Sequence, residues 1–356
     1  MPKNIVYFLG AGASKNFGYP LTTEIMPLIM ERLLENDLFQ LYGRKSRLER
    51  KYETDLLEFL YTLYPGLRNI NIGRKKDRES IPNITEVLSL VDHFCFYNIP
   101  PHPRIVDDRL LHFRDLLNRA IGELILDFDL DDMSNKQNDL FKALLKPIRN
   151  DKASNNVSII TTNYDLLIDW EFRDVFIDNK VDYGISYRDV ETSEIIYRDP
   201  KPLFHYYKLH GSLNWLRCDL FGHFYINPLG SIVHLAFKES VDEYNTCICS
   251  DTLRLRSVLV APSLVRDIRD ANLLQIWKSS MEAIRTADKI VFIGYSLPAE
   301  DLAIKSIIMR GINGRRKDQP LQVKVVQKGD AAKPNYRNIF SQNMTYYPGG
   351  LEQFLA

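Results

Sequence analysis

Residues 4 to 14 read NIVYFLGAGAS, an apolar run that breaks abruptly into small residues after Leu9. A continuous apolar run is typical of a parallel strand covered on both faces, and glycine directly after it allows a tight turn into a helix. Such a turn often holds an anion against its backbone N–H groups. The dinucleotide fingerprint needs a third glycine three positions after Gly12, where this chain has Lys15. The stretch therefore predicts a strand, a glycine loop and a helix, with only weak support for a hydride-transfer site.

Further apolar, β-branched runs bounded by turn residues are predicted to be buried strands, and most are continuous runs as expected of parallel strands. With the first, they are Ile5 to Leu9, Val157 to Thr161, Tyr206 to Leu209, Val258 to Val260, Lys289 to Ile293 and Val323 to Val326. Helical patterns separate them at Leu21 to Leu34, Leu166 to Asp174, Asn272 to Ala287 and Asp301 to Met309. This alternation predicts an α/β fold with a Rossmann-like, doubly wound parallel sheet.

A long polar segment with helical periodicity interrupts that pattern between residues 36 and 150. Asn83 is placed as an N-cap there, with Glu86 three residues later. We predict core segments at 1–35, 151–215 and 256–356, a large helical insertion at 36–150, and an irregular or β-rich flap at 216–255. The insertion is a candidate for self-association or for occluding a cleft, and simple scaffolding is the alternative.

The composition excludes several classes of protein. Lys+Arg and Asp+Glu both total 46, so no global field draws the chain to nucleic acid or anionic lipid. No apolar run is long enough for a membrane span, and the N-terminus lacks the features of a signal peptide. We therefore expect a cytoplasmic protein with no direct contact to nucleic acid or membrane. The four cysteines suit buried thiols in a reducing compartment.

The segment TTNYD, residues 161 to 165, places polar side chains at the end of a predicted strand. Thr162, Asn163 and Asp165 would lie at the carboxyl edge of the sheet, where open parallel sheets bind ligands. An asparagine amide can hold a ribose hydroxyl or a water, since it both donates and accepts hydrogen bonds. Capping of the following helix by Asn163 or Asp165 is the alternative.

Two later segments also place polar residues and a glycine directly after a predicted strand. His210 in LHGS follows an apolar run and precedes glycine, and a histidine there is suited to accept a proton near neutral pH. A purely structural histidine is the alternative. Gly294 and Ser296 in GYSL follow another predicted strand and offer a second backbone loop, or an ordinary turn.

Together, GAGAS, TTNYD, LHGS and GYSL resemble the sirtuin family, which carries GAGxS, TQNxD, LHGS and GTSL in this order. The match spans residues 5 to 297 in islands, and LHGS is literal. The resemblance implies a Rossmann-like fold that binds NAD and cleaves the bond between nicotinamide and ribose. It implies that Asn163 and Asp165 position the ribose and a water, and that His210 is the general base. The implied NAD contacts are Gly10, Ala11, Gly12, Ser14, Thr162, Gly294, Ser296 and, more loosely, Gln327.

The chain departs from the sirtuin deacylases at two places. After the glycine loop they have GIPDFR, where residues 18 to 23 here read GYPLTT. They also carry a four-cysteine zinc ribbon, whereas the interval 211–293 has only Cys218, Cys247 and Cys249. That set is one thiolate short of a four-cysteine site, so the sequence predicts no zinc.

The chain thus looks like the sirtuin-like NAD hydrolases of bacterial anti-phage defence, which consume NAD as a substrate. Because unrestrained NAD hydrolysis would kill the host, this resemblance implies a gated effector. No sensor domain is recognisable after the core, which favours a separate sensing partner over a fused one. The effector would be a homo-oligomer, with a separate partner such as a HerA-like ATPase. A protein deacylase or ADP-ribosyltransferase is one alternative, and a non-catalytic module that binds NAD or ADP-ribose is another.

Overall fold

The structure is a computed structural model. It describes residues 2–39, 46–103, 105, 107–127, 133–171, 181–227, 230–237, 246–260, 270–299, 301–316 and 318–356. Its strands are β1 (Asn4–Leu9), β2 (Asn156–Thr161), β3 (Val181–Asp182), β4 (Tyr187–Asp189), β5 (Ile195–Ile196), β6 (Phe204–Lys208), β7 (Gly211–Arg217), β8 (Phe224–Ile226), β9 (Thr246–Cys247), β10 (Ser250–Arg254), β11 (Arg256–Leu259), β12 (Lys289–Ile293), β13 (Gln322–Val326) and β14 (Thr345–Tyr347).

The helices alternate with the main strands, as the sequence pattern predicts. They are α1 (Ala11–Lys15), α2 (Thr22–Glu35), α3 (Arg47–Leu63), α4 (Lys75–Glu79), α5 (Ile84–Tyr97), α6 (Asp107–Leu126), α7 (Asn135–Lys152), α8 (Leu167–Glu171), α9 (Ala271–Thr286), α10 (Leu302–Asn313), α11 (Lys333–Phe340) and α12 (Gly350–Leu355). The helix predicted over Leu166 to Asp174 is confirmed through Glu171, and its last residues lie outside the described part.

Seven strands form one parallel sheet in the order β14-β13-β12-β1-β2-β6-β3. The first strand of the chain is its centre, with Asn4 opposite Asn156 and Ile5 opposite Lys289. Helices α7 and α9 pack on this sheet, which covers its apolar strands. The Rossmann-like fold class is confirmed. The chain runs outward from β1 to one side and then returns to the other, so a switch point lies between β1 and β12.

A second sheet has the order β11-β7-β8-β4-β5, beside a hairpin of β9 and β10. The strand predicted over Val258 to Val260 exists as β11, but it pairs antiparallel with β7 and does not belong to the parallel sheet. The expectation that most of the predicted strands are parallel therefore does not hold for this one, because a three-residue apolar run has no feature that distinguishes the two kinds of sheet.

By contacts the chain divides into two compact units, one of which contains both sheets and one of which contains Pro20–Phe128. The second unit is built from α2 to α6. Its core includes the stacked rings of Phe59 and Phe113, with centroids 4.0 Å apart. Asn83 caps α5 as predicted, since its side-chain oxygen accepts a hydrogen bond from the Glu86 amide at 2.8 Å. The predicted domain boundaries stay a prediction.

Among the described residues, no helix combines the length and the apolar character that a membrane crossing requires.

Candidate active site and thiol cluster

The predicted ligand-binding segments follow five neighbouring strands of the parallel sheet, all at its carboxyl edge. In the spatial order β13, β12, β1, β2 and β6, the strands lead into Gln327, Gly294, Gly10, Thr162 and His210. Residues far apart in the chain therefore meet along one edge, as expected for parallel strands.

The side-chain amide of Asn163 is anchored on the glycine loop. Its nitrogen donates to the carbonyl oxygen of Gly10 at 3.0 Å and to the hydroxyl oxygen of Ser14 at 2.8 Å. A carbonyl oxygen only accepts hydrogen bonds, so the atom that faces Gly10 must be the nitrogen. Both amide hydrogens are thus used by the protein, and the oxygen Oδ1 is the atom that can accept a hydrogen bond from a ligand.

Ser14 connects Asn163 to a buried carboxylate. The Ser14 hydroxyl donates to Asp165 at 2.6 Å, and the other oxygen of Asp165 accepts from the Leu167 amide at 3.2 Å. Burial raises the pKa of Asp165, against the lowering effects of the Ser14 hydrogen bond and the charge of Lys208. Asp165 is therefore both a cap at the start of α8 and a support behind Ser14. The capping alternative is confirmed for Asp165.

Glycines join the first loop to the loop after β12. The Gly12 amide donates to the Gly294 carbonyl at 2.9 Å, and a Cβ on Gly12 would lie 2.9 Å from the Gly294 Cα. Gly294 has a φ of +65°, and a Cβ there would lie 2.0 Å from the Ala13 nitrogen. These two positions are therefore glycine because the two backbones touch there. The sequence pattern suggests a different reason, the close approach of a phosphate.

His210 is buried, with 3% of its surface exposed. Its Nδ1 lies 3.1 Å from the carbonyl oxygen of Thr162. Because that oxygen only accepts, Nδ1 carries the hydrogen and Nε2 is the nitrogen that can take up a proton. The backbone of His210 is also fixed, since its carbonyl oxygen accepts from the Val260 amide at 2.8 Å.

Asp301 is the site residue that sequence reasoning missed. Its Oδ1 lies 3.7 Å from His210 Nε2, and its Oδ2 accepts from the Tyr295 hydroxyl at 2.8 Å. The sequence marks Asp301 only as the start of a helix, which is the ordinary place for an aspartate cap. Its proximity to His210 follows from the pairing of strands far apart in sequence.

The remaining predicted residues differ in how they face this edge. Thr162 and Ala11 are half-buried, whereas the side chain of Ser296 is exposed. The carbonyl oxygen of Ser296 accepts from Asn335 at 3.0 Å. Gln327 donates to the Tyr295 carbonyl at 2.5 Å, so it supports the loop after β12. Gln327 is therefore engaged by the protein in this structure.

A fully buried lysine lies under the site. Lys208 donates to the Asp169 carboxylate at 3.0 Å and to the carbonyl oxygen of Asp165 at 2.7 Å. The Tyr206 hydroxyl donates to the same Asp169 oxygen at 3.1 Å. A buried ion pair with these additional hydrogen bonds is satisfied, and it fixes the segment after β2 against β6.

Three cysteine sulfurs converge near the second sheet. The Sγ atoms of Cys218, Cys247 and Cys249 lie within 4.8 Å of one another, with Cys218 and Cys249 at 3.6 Å. His223 Nδ1 lies 3.4 Å from the Cys247 sulfur. Tetrahedral zinc with ordinary bond lengths places two sulfurs roughly 3.8 Å apart, and a histidine nitrogen about 3.6 Å from a sulfur. The three thiols therefore fit zinc, with His223 beside one of them.

Burial alone would raise the pKa of Cys247. Hydrogen bonds with Cys249 and Tyr225 outweigh it and lower the pKa of Cys247 to about 6. A thiolate is the form that binds a metal. The prediction of no zinc counted only cysteines and did not consider histidine as a ligand. With His223 beside the thiols, the lack of a fourth cysteine does not argue against a metal at this place. When bound, zinc would supply a cross-link between the end of β7 and the β9–β10 hairpin.

Comparisons with known proteins come from a family model and from solved structures. A model described as a SIR2-like domain matches residues 157–346. No curated protein matches the chain.

Three similar solved structures all concern Sir2. A Sir2 homologue mutant in complex with ADP-ribose is 12% identical, with 99% of this chain and 88% of that chain covered and a TM-score of 0.39. A structure on the mechanism and regulation of Sir2 enzymes is 15% identical, with 99% and 90% covered and a TM-score of 0.41. Sir2 with a p53 peptide and NAD+ is 13% identical, with 99% and 91% covered and a TM-score of 0.35. These TM-scores are low, so the fold assignment rests on the strand order above.

Proposed function

Because the chain belongs to the SIR2-like domain family, we propose that it is an NAD+ hydrolase that cleaves the bond between nicotinamide and ribose. NAD is the substrate, and nicotinamide and ADP-ribose are the products. The observation that carries the proposal is that the carboxyl edge of the sheet holds both an anchored Asn163 amide and a His210 imidazole whose Nδ1 is fixed by the Thr162 carbonyl. Binding alone requires neither a proton acceptor nor a fixed amide oxygen at this place.

In this proposal Asn163 holds the attacking water. Its two hydrogens are donated to Gly10 and Ser14, so Oδ1 accepts a hydrogen bond from the water and orients a lone pair toward the ribose. Because this water is already held in position, its attack does not require the loss of translational and rotational entropy that a free water would undergo. Asp165 acts behind Ser14 as a positioning residue for this amide.

His210 is the general base. Its Nδ1–H is held by the Thr162 carbonyl, so Nε2 has the lone pair that takes a proton from the water or from a ribose hydroxyl. The bond between the ribose carbon and nicotinamide breaks with its electrons on nicotinamide, and an oxocarbenium-like centre develops on the ribose. The water oxygen forms the new bond to that carbon, and its proton passes to Nε2 and then to solvent.

The NAD contacts are those that the resemblance implies, adjusted to the hydrogen bonds of this chain. Gly10, Ala11, Gly12 and Ser14 form the loop beside the pyrophosphate. The Gly12 amide already donates to Gly294, so it adds no hydrogen bond to the phosphate in this arrangement. The residues Thr162, Gly294, Ser296 and Gln327 complete the set along the edge. No zinc takes part in this reaction.

Free NAD hydrolysis would destroy the host cell's cofactor, so the proposal includes control of the activity. We place the protein as a gated effector of anti-phage defence that works as a homo-oligomer in the cytoplasm. A separate partner, such as a HerA-like ATPase, controls the activity in this proposal. The predicted insertion at 36–150 would provide self-association or occlusion. This part of the proposal rests on resemblance to the defence enzymes.

The first experiment measures nicotinamide release from NAD by purified protein, alone and with the product of the neighbouring gene, with identification of linear or cyclic ADP-ribose. Asn163→Ala and His210→Ala should each abolish release and keep the thermal transition. Asn343→Ala and His102→Ala are exposed controls and should keep the wild-type rate. A preparation that never consumes NAD in either condition contradicts the hydrolase.

The same preparations distinguish the alternatives. Removal of the acyl group from an acyl-lysine peptide, with NAD consumed in equal amount, would indicate a deacylase. Transfer of radiolabel from NAD to protein would indicate an ADP-ribosyltransferase. Saturable binding of NAD or ADP-ribose without any turnover would indicate the non-catalytic module.

A further inference from the structure

Asp301 occupies the first capping position of α10 but does not act as a cap. It is the N-cap residue of that helix, and its side chain accepts no hydrogen bond from the helix amides. An aspartate at this position ordinarily accepts from the second or third amide of the helix, a contact that stabilises the helix by about 1 kcal/mol. Here the carboxylate points to His210 Nε2 and the Tyr295 hydroxyl. The Asp301 carboxylate therefore lies beside the His210 imidazole and makes no capping hydrogen bond to the helix amides.

The two side chains of this pair are both removed from solvent, with 4% of His210 and 3% of Asp301 exposed. A negative charge about 4 Å from an imidazole favours its protonated form, and low solvent exposure strengthens the effect. Asp301 lies on the Nε2 side, which is the side whose protonation changes, because Nδ1–H is held by Thr162. The carboxylate therefore stabilises the imidazolium that forms when His210 accepts a proton.

Among the described residues, the charged and titratable groups Asp165, Lys208 and Tyr164 are already paired. Asp165 accepts from Ser14, and Lys208 is paired with Asp169. The ring of Tyr164 lies 6.2 Å from the His210 ring, centroid to centroid, and its hydroxyl donates to the Val260 carbonyl at 2.9 Å. The carboxylate of Asp301 lies 3.7 Å from Nε2, within direct electrostatic reach of the imidazole.

We propose that Asp301 is a positioning residue that makes His210 a stronger base, with Tyr295 holding the carboxylate in place. This inference rests on the proposed function for its kinetic consequence. The effect of Asp301 on the protonation of His210 does not depend on that function, because it is measured in the ligand-free protein.

The test uses Asp301→Asn, which keeps the shape and can still accept from Tyr295. The histidine ring signals of the full chain are followed by NMR against pH, and His210→Gln identifies the His210 signal. Loss of the negative charge should lower the His210 midpoint by about one pH unit. Tyr295→Phe keeps the carboxylate but removes its hydroxyl partner, so it should give a smaller downward shift. An unchanged midpoint in Asp301→Asn overturns the proposal, whether or not the protein consumes NAD.

If the protein hydrolyses NAD, the same variant gives a kinetic result. The rate falls at low pH as His210 becomes protonated, so a lower midpoint moves this acid limb to lower pH in Asp301→Asn. The weaker base should lower kcat about tenfold, with KM little changed. A rise in KM alone, with kcat and the acid limb unchanged, would overturn the proposal. If Asp301→Asn does not fold, the shift in Tyr295→Phe decides.

Discussion

The amide of Asn163 donates a hydrogen bond to the hydroxyl of Ser14 at 2.8 Å, and Ser14 donates in turn to Asp165 at 2.6 Å. This contact joins the first loop of the chain to the loop after β2, next to the central strand pair of the sheet. Ser14 lies outside the part that the family model matches, whereas Asn163 and Asp165 lie inside it. The candidate site is therefore complete only when both parts of the chain are present.

The first prediction concerns Ser14→Ala. The change leaves Asn163 with Gly10 as its remaining acceptor and removes the hydroxyl that Asp165 accepts from. The amide should turn out of its orientation, and NAD hydrolysis should fall about 10-fold to 100-fold. Nicotinamide release measures the change. Ser154→Ala, on an exposed turn, should keep full activity, and equal rates in the two variants would contradict the role of Ser14.

Gly12→Ala is the second prediction. The added Cβ would lie 2.9 Å from the Gly294 Cα, so the two loops must separate and lose the 2.9 Å hydrogen bond between them. We expect a loss of about 1–3 kcal/mol in the free energy of unfolding, measured with urea, and a loss of activity. Gly66→Ala meets no atom within 4 Å and serves as the control. Full stability in Gly12→Ala would mean that the loops can move apart freely.

The third prediction is that metal analysis finds one zinc per chain, which reverses the expectation from the cysteine count. Cys247→Ser should lose the metal because Cys247 is one of the three clustered thiols, and His223→Ala should weaken metal binding because His223 Nδ1 lies 3.4 Å from the Cys247 sulfur. Cys95→Ser lies outside the cluster and should keep the metal. Protein that contains no zinc after purification without chelators, and takes up none when titrated with it, would restore the original expectation. Because zinc would also suit a deacylase, the peptide assay must accompany this measurement.

The fourth prediction concerns acid stability and the edge strand β3. Burial alone would raise the pKa of Asp182, but hydrogen bonds with His205 and Arg198 lower it to about 2 from the usual 3.8. A lowered pKa in the folded state stabilises the fold above about pH 4, and this contribution is lost as the pH falls toward 2. It amounts to about 2 kcal/mol.

Urea unfolding at several pH values tests this. Asp182→Asn should be less stable than wild type at neutral pH, and the difference should shrink between pH 4 and pH 2. Asp318→Asn, whose side chain is 69% exposed, is the control and should follow the wild-type curve. A difference between Asp182→Asn and wild type that does not change with pH would exclude the ionic contribution.

The sequence predicts the strands of the parallel sheet closely because each is a continuous apolar run between turn residues. The predicted Lys289 to Ile293 matches β12, and Val157 to Thr161 misses only the first residue of β2. β3 has two residues and β14 has three, which is too short for a pattern. The sequence does not show that β11 pairs antiparallel with β7, because pairing depends on contacts between distant segments.

The candidate site was predicted unevenly for the same reason. Asn163, Asp165 and His210 could be found because each follows a strand in a recognisable motif. Asp301 could not, since an aspartate at the start of a helix has a simpler explanation as a cap. The sequence also does not predict that Gly12 packs on Gly294. A glycine required by a nearby phosphate and a glycine required by a neighbouring loop look the same in sequence.

The central position of β1 also has a consequence for synthesis. β1 pairs with β2 and with β12, so neither neighbour exists when the first strand leaves the ribosome. Non-local pairing of this kind forms late, after the intervening chain has been made. The His210–Asp301 pair can form only when residue 301 has been made. A nascent chain therefore has no assembled candidate site before residue 301 has been made, so the NAD hydrolysis that we propose cannot begin earlier.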